Sequence, residues 1–174
     1  MDNNFWKDAY KELWADSSSK EDYIKNIVER ETGFELVSFG LGAESTEFLS
    51  GSAEEYGKEK GAPDFKVKGT NIFVEVTGPL SESAKPYGGL WLRPDKLNYA
   101  QKYKMEHDEF FVLYFASINK WFSIHADQEF IKEAHSFEVI RPVIRGNRER
   151  YIVVPYNHKS VKPLNHMIGY IKNI

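Results

Sequence analysis

Two carboxylates of the sequence fall where a β-hairpin would hold them side by side. Apolar and polar residues alternate on both sides of a two-residue turn at 69–70, which is typical of paired strands. This turn pairs Phe65 with Val74 on an apolar face and sets Asp64 directly opposite Glu75 on the other face. The Cβ atoms of such an opposed pair lie about 4.5 to 5.5 Å apart.

Like charges that oppose each other in a sheet are destabilising, so the pair Asp64 and Glu75 requires a compensating group. A divalent cation would provide it, because Mg²⁺ takes oxygen ligands and binds through one or two carboxylates together with water and substrate phosphate. The alternative is an exposed hairpin whose carboxylates are neutralised by Lys66 and Lys68. The spacing alone leaves both interpretations open.

Two helices are predicted before this hairpin. Aromatic and aliphatic residues recur with helical spacing over residues 3–15, which predicts an amphipathic helix. A second helix is predicted from Ser19 to the stop at Gly33, and its apolar stripe contains Ile24 and Val28. At 100° per residue, Glu31 projects onto that stripe, so an inward carboxylate is expected at the end of this helix.

The remaining elements alternate between strands and helices. Strands are predicted at 34–39, 62–68, 71–77, 110–116, 120–125 and 151–156, with helices at 94–105 and 128–134 and a glycine-containing connection through 78–89. This order predicts an α/β or α+β fold with a central mixed sheet flanked by helices.

The hairpin residues resemble a known nuclease signature. Pro63-Asp64, a gap of ten residues and then Glu75-Val76-Thr77 are similar to the motif of the PD-(D/E)XK nucleases, with threonine at the usual lysine position. The resemblance implies a restriction-endonuclease-like core, in which a helix, a strand, the hairpin, a second helix and a further strand follow one another. It also implies that Asp64, Glu75 and the Val76 carbonyl bind Mg²⁺ or Mn²⁺.

The resemblance also assigns two further positions. The family commonly carries an acidic residue on its first core helix, and Glu31 matches that role as a further metal ligand. Some members carry the lysine on the following helix instead, where Lys96 shares a stripe with Ala100 and could replace the ammonium that Thr77 lacks. The candidate catalytic residues are therefore Asp64, Glu75, Thr77 and Lys96. The alternative for Lys96 is an ordinary solvated lysine.

Charge is distributed unevenly along the 174 residues. Residues 1–64 carry a net charge of −8 and residues 65–174 a net charge of +5, and seven Lys or Arg follow Val139 against Glu149 alone. A basic region of this kind predicts a polyanionic partner, although solvated surface charge would give the same count. The predicted nucleic-acid contacts are Arg145, Arg148, Arg150, Lys66 and Arg93. Trp91 and Tyr87 could stack on bases, and the alternative for Trp91 is a position in the core.

Composition narrows the function classes. The absence of cysteine excludes disulfides, thiolate metal sites and cysteine nucleophiles, and no apolar run is long enough for a membrane span, so a cytoplasmic protein without a membrane partner is expected. A single domain is predicted over residues 1–174, with an N-terminal helix (1–18), a nuclease-like core (19–125) and a basic C-terminal extension (126–174).

Three functions are compatible with these features. The first is a Mg²⁺- or Mn²⁺-dependent nuclease that hydrolyses DNA phosphodiester bonds, and a homodimer would give it two sites for cutting two strands. The second is a catalytically inactive PD-(D/E)XK-like domain that binds nucleic acid or a protein partner, which the missing lysine at Thr77 favours. The third is a small-ligand or structural α+β domain.

Overall fold

The computed structural model describes residues 19–40, 59–77, 89–115, 119–144 and 146–174. The predicted helix at 3–15, Tyr87 and Arg145 lie outside these residues. The helices are α1 (19–32), α2 (Pro94–Tyr103), α3 (Gln128–Ala134) and α4 (Leu164–Lys172). The strands are β1 (Leu36–Ser38), β2 (Phe65–Val67), β3 (Ile72–Thr77), β4 (Gly89–Leu92), β5 (Asp108–Phe115), β6 (Lys120–His125), β7 (Val139–Ile140), β8 (Val143–Ile144), β9 (Asn147–Arg148), β10 (Tyr151–Pro155) and β11 (Val161–Pro163).

A six-stranded sheet with the order β1-β2-β3-β5-β6-β11 forms the centre of the fold. Strands β3 and β5 are parallel and the other neighbours are antiparallel, so the predicted mixed sheet flanked by helices is confirmed. The predicted hairpin register is also confirmed, because Phe65 pairs with Val74. Gly69 adopts φ +80° in the turn, a conformation that glycine takes without strain.

The period of two residues along β3 divides the core into two layers. Ile72 and Val74 face one side of the sheet, where Ile24 and Val28 of α1 and Met167 of α4 pack against them. The opposite side carries Glu75 and, on β5, the side chains Phe111 and Leu113. These pack against α2, α3 and a second sheet with the order β4-β10-β7. Glu75 therefore lies between the central sheet and α2.

The chain order α1, β1, β2, β3, α2 and β5 contains the succession that the resemblance implied, with β4 inserted before α2. Six elements were not predicted, namely β4, the short strands β7, β8, β9 and β11, and the helix α4. Residues 89–92, part of the predicted connection, form β4, and α4 follows the last predicted strand. The residues predicted as a C-terminal extension complete both layers, because β10 pairs with β4 and β11 pairs with β6. No helix in the described ranges has the length and apolar character that crossing a membrane requires.

Candidate active site

Two close backbone approaches fix the segment that carries Asp64. Gly61 adopts φ +87°, and a Cβ atom at this position would lie 2.3 Å from the Asp95 carbonyl oxygen of α2. A Cβ atom on Gly40 would lie 2.6 Å from the Pro63 carbonyl oxygen. The amide of Phe39 donates to the Asp64 carbonyl at 2.8 Å. The segment is thus held between the end of β1 and the first turn of α2, where only glycine allows this spacing.

Asp64 and Glu75 form the buried acidic pair of the site. Their exposed fractions are 7% and 3%, and Asp64 Oδ2 accepts a hydrogen bond from the Val76 amide at 2.8 Å. Burial raises the pKa of Asp64 and raises the pKa of Glu75 well above its usual range, and the charge of Asp64 raises the pKa of Glu75 further. Both carboxyl groups therefore hold protons more readily than surface carboxyls do, unless a cation offsets their charge.

Lys96 supplies the ammonium group of the site from α2. Its Nζ lies 2.9 Å from Glu75 Oε1 and donates to the Ala62 carbonyl at 3.2 Å. Burial acts to lower the pKa of Lys96, but the negative charges of Glu75 and Asp64 outweigh it and raise the pKa overall. Lys96 is therefore charged at neutral pH. Thr77, at the usual lysine position, is half-buried at the end of β3.

The exposed-hairpin alternative does not describe this site. Lys68 pairs with Glu35 at 2.6 Å, and the Lys66 ammonium lies 5.6 Å from the centre of the Phe73 ring. The cation that is paired with the acidic residues is thus Lys96, and both carboxylates are buried rather than solvated.

The inward direction predicted for Glu31 is wrong. Its side chain is 46% exposed and pairs with Arg30 at 2.9 Å, because Glu31 lies in the last turn of α1, where the chain leaves the helix at Gly33. The carboxyl group that α1 contributes is Glu21, which is buried and within hydrogen-bonding reach of Asp64. Glu21 lies three residues before Ile24 on the buried stripe, so the helical period contained this signal.

Glu109 is a buried carboxyl group that the sequence interpretation missed. It is 2% exposed, and neither carboxylate oxygen has a hydrogen-bond partner in the described part of the chain. Burial raises its pKa to about 8; the charge of Lys96 acts to lower the pKa and that of Asp64 to raise it. Glu109 alternates with Phe111 and Leu113 along β5, and this period of two could have identified it as inward-facing.

The donor set fits a hard divalent cation. Glu75 Oε2 is buried and has no hydrogen-bond partner within the described residues, and Asp64 lies beside it. Among those residues no three His, Asp or Glu side chains are arranged to hold a metal ion. The protein would thus supply two carboxylates and the Val76 carbonyl, which is the partial set that Mg²⁺ commonly accepts.

The structure places the predicted nucleic-acid contacts in different environments. Arg148 and Arg150 are exposed, and neither forms an ion pair with a described carboxylate. Arg93 pairs with Asp95 at 3.0 Å at the start of α2. Trp91 is buried in the core, so of the two interpretations the core position is the one observed.

The chain shows structural similarity to known proteins but no sequence match. No protein-family model and no curated protein sequence matches the chain. Among solved structures, the chain is similar to a nuclease from a fusselovirus, with 13% sequence identity and a TM-score of 0.49 over 90% of this chain and 89% of the other.

Proposed function

We propose that this chain is a metal-dependent nuclease of the PD-(D/E)XK type that hydrolyses DNA phosphodiester bonds. The observation that carries the proposal is the position of Lys96, whose ammonium lies 2.9 Å from Glu75 beside Asp64. The lysine that is absent at Thr77 thus has a counterpart on α2, next to both acidic residues of the motif.

Charge balance in the site supports a cation. Three carboxyl groups of the site, those of Asp64, Glu75 and Glu109, are buried, and the Lys96 ammonium, which is paired with Glu75, is the positive charge that acts on all three. Buried charge is costly unless it is neutralised, so the excess carboxylates must either hold protons or share a cation. A binding module without catalytic function has little need for this cluster near phosphates, whereas a phosphodiesterase uses it to hold Mg²⁺ or Mn²⁺.

The residues can be given separate roles. Asp64, Glu75 and the Val76 carbonyl would hold the cation. When bound, such an ion lowers the pKa of a water molecule and offsets the charge of the phosphate. The Lys96 ammonium stabilises the negative charge that develops on the phosphate oxygens, because it is already oriented and largely shielded from water. The Thr77 hydroxyl can orient water but adds no charge.

Basic residues near α2 and in the β8–β9 hairpin would bind the DNA backbone. Arg93 lies at the start of α2, three residues before Lys96, and its charge affects Tyr151, which follows Arg150 in the chain. We infer that Arg93, Arg148 and Arg150 together form the basic surface that receives the phosphate backbone. Arginines contact phosphate oxygens without reading sequence, so this surface would orient DNA over the site.

Cleavage of supercoiled plasmid and of labelled single-stranded and branched DNA tests the proposal. We expect cutting with Mg²⁺ or Mn²⁺ and none with EDTA, and we expect Glu75→Gln and Lys96→Met each to reduce the rate by at least about 100-fold, since one preorganised charge contributes on that order. The matched control is Lys104→Ala, which removes an exposed lysine just after α2 and should leave the rate unchanged.

The second candidate is a non-catalytic relative that binds nucleic acid or a protein partner. Threonine at position 77 and the direct ion pair between Lys96 and Glu75 favour it, because this pair already satisfies one carboxylate oxygen. Absence of cutting with either metal, together with DNA binding that weakens as salt rises, would establish this candidate in place of the nuclease.

A further inference from the structure

A ladder of aromatic rings lies on the α1 side of the central sheet. The rings of Tyr23 and Trp121 stack with centroids 5.6 Å apart and an interplanar angle of 14°, and Trp121 lies 4.9 Å from Tyr114. The Lys20 ammonium lies 5.2 Å from the centre of the Tyr114 ring. This aromatic ladder, formed by Tyr23, Trp121 and Tyr114, has not been assigned a role in the proposed cleavage.

Tyr114, at one end of the ladder, is hydrogen-bonded, and Tyr23, at the other end, is exposed to solvent. The Tyr114 hydroxyl donates to Asn119 Oδ1 at 2.5 Å, and Trp121 is partly buried against the core layer that contains Ile24 and Val28. Tyr23 is 48% exposed, although it belongs to a helix whose inner stripe is fully buried. Packing of α1 on the sheet accounts for the buried part of Trp121, but it leaves much of the Tyr23 side chain in contact with solvent.

The ladder and the acidic site meet at the first turn of α1. Glu21 is within hydrogen-bonding reach of Asp64, and the adjacent residue Lys20 places its ammonium over Tyr114. A polynucleotide strand that leaves the acidic site along the first turn of α1 would therefore pass the ladder.

We propose that the aromatic ladder binds an unpaired segment of the nucleic-acid substrate, with a base stacked on the exposed Tyr23 ring. This inference rests on the proposed function and narrows its substrate class to nucleic acid with a single-stranded part. Bases within a duplex are stacked on both faces, so a protein ring can stack only on an unpaired or terminal base. Lys20 supplies the positive charge beside those bases that complements the phosphate backbone.

The test measures binding without cleavage, in EDTA, by fluorescence anisotropy of a labelled single-stranded DNA, the same sequence as RNA, and a covalently closed circular duplex, which has neither unpaired nor terminal bases. We expect Tyr23→Leu to weaken single-strand binding about 5- to 100-fold, the range for loss of one stacked base, and to leave duplex binding within about twofold. Tyr23→Phe keeps the ring and should bind as the parent does. Similar losses for DNA and RNA indicate base stacking, and a loss confined to one identifies the sugar that is recognised.

A second measurement uses the unchanged protein, in case Tyr23→Leu unfolds. Photocross-linking of single-stranded DNA that carries iodouracil, followed by peptide mapping, should identify Tyr23 or Trp121. Cross-links that map elsewhere, unchanged single-strand binding by a folded Tyr23→Leu, or an equal loss for the closed duplex would each overturn the inference.

Failure of this inference is distinguishable from failure of the proposed function. Metal-dependent plasmid cutting that requires Glu75, combined with unchanged single-strand binding by Tyr23→Leu, overturns the ladder's role and leaves the nuclease. Absence of cutting, combined with selective loss of single-strand binding, overturns the nuclease and leaves the ladder as a nucleic-acid site.

Discussion

Replacing Glu109 by glutamine removes one buried ionisable group while nearly conserving its shape. The buried carboxyl has a pKa of about 8 in the folded chain, against an ordinary value of 4.5. Between these two pH values the folded state holds a proton that the unfolded state releases, so the group makes folding less favourable as pH rises. Glutamine cannot ionise, so the variant should lose this contribution to the pH dependence.

The size of the effect follows from the shift. A difference of about 3.5 pKa units corresponds to about 5 kcal/mol at the alkaline limit, because one unit is worth about 1.4 kcal/mol. At pH 7 the group is still mostly protonated in the folded chain, and the cost has reached about 3 kcal/mol. The difference in free energy of unfolding between Glu109→Gln and the parent should thus increase by about 3 kcal/mol from pH 4.5 to 7, and by about 4 kcal/mol from pH 4.5 to 9.

Urea unfolding of parent and variant at steps from pH 4.5 to 9, with EDTA present to remove divalent cations, measures this difference. Glu106→Gln is the matched control, because it removes an exposed carboxyl three residues earlier and should shift the two curves little. Parallel stability profiles for the parent and Glu109→Gln would refute the reasoning, since they would show that Glu109 ionises in the folded chain as it does in water. An equal effect of Glu106→Gln would attribute the difference to net charge.

Three further predictions concern the backbone near the site, its ion pair and the DNA-binding surface. Gly61→Ala should destabilise the chain by more than about 2 kcal/mol in urea unfolding and reduce cleavage, whereas Gly69→Ala, which has a similar positive φ but open space, should cost only about 1 kcal/mol. Lys96→Met should lower the free energy of unfolding by about 3 kcal/mol at pH 8 and by progressively less as the pH is lowered, because the raised pKa values of Asp64 and Glu75 favour their protonation; a loss that does not change with pH would contradict this. Arg148→Ala should weaken DNA binding similarly for all sequences and reduce the slope of log K against log salt by about 1, and a variant that changes sequence preference would disprove a phosphate contact.

Local sequence patterns were sufficient to predict the register of the hairpin and the direction of the Lys96 side chain. A two-residue turn and a period of two leave one register that buries Phe65, and this register also sets the positions of Asp64 and Glu75. On α2, the helical period that buries Leu97 and Ala100 also brings Lys96 toward the sheet. In both cases the apolar residues that determine the orientation are close in sequence to the polar residue of interest.

The wrong prediction for Glu31 and the failure to predict Glu109 and α4 have different physical causes. The helical period alone predicts an inward Glu31, but in the last turn of α1 this side chain is 46% exposed and pairs with Arg30. Glu21, at the other end of the helix, is the buried carboxyl group near Asp64. Glu109 was missed because the apolar run that follows it was taken as the start of the strand. The stripe of Leu164, Met167 and Ile171 in α4 has helical spacing, and Pro163 before it is a typical start signal, so α4 was predictable.

Placing the ammonium on α2 changes what holds the site together. A lysine at position 77 would stand on the same strand and face as Glu75, two residues away, and would leave α2 uninvolved. Lys96 instead joins Glu75 on β3 to the Ala62 carbonyl, which lies two residues before Asp64, from a helix that Gly61 allows to approach closely. One ammonium therefore links both halves of the hairpin to α2. The relative position of the two carboxylates then depends on the packing of α2. A substitution such as Gly61→Ala, which contacts no carboxylate, therefore also changes the site by displacing Lys96.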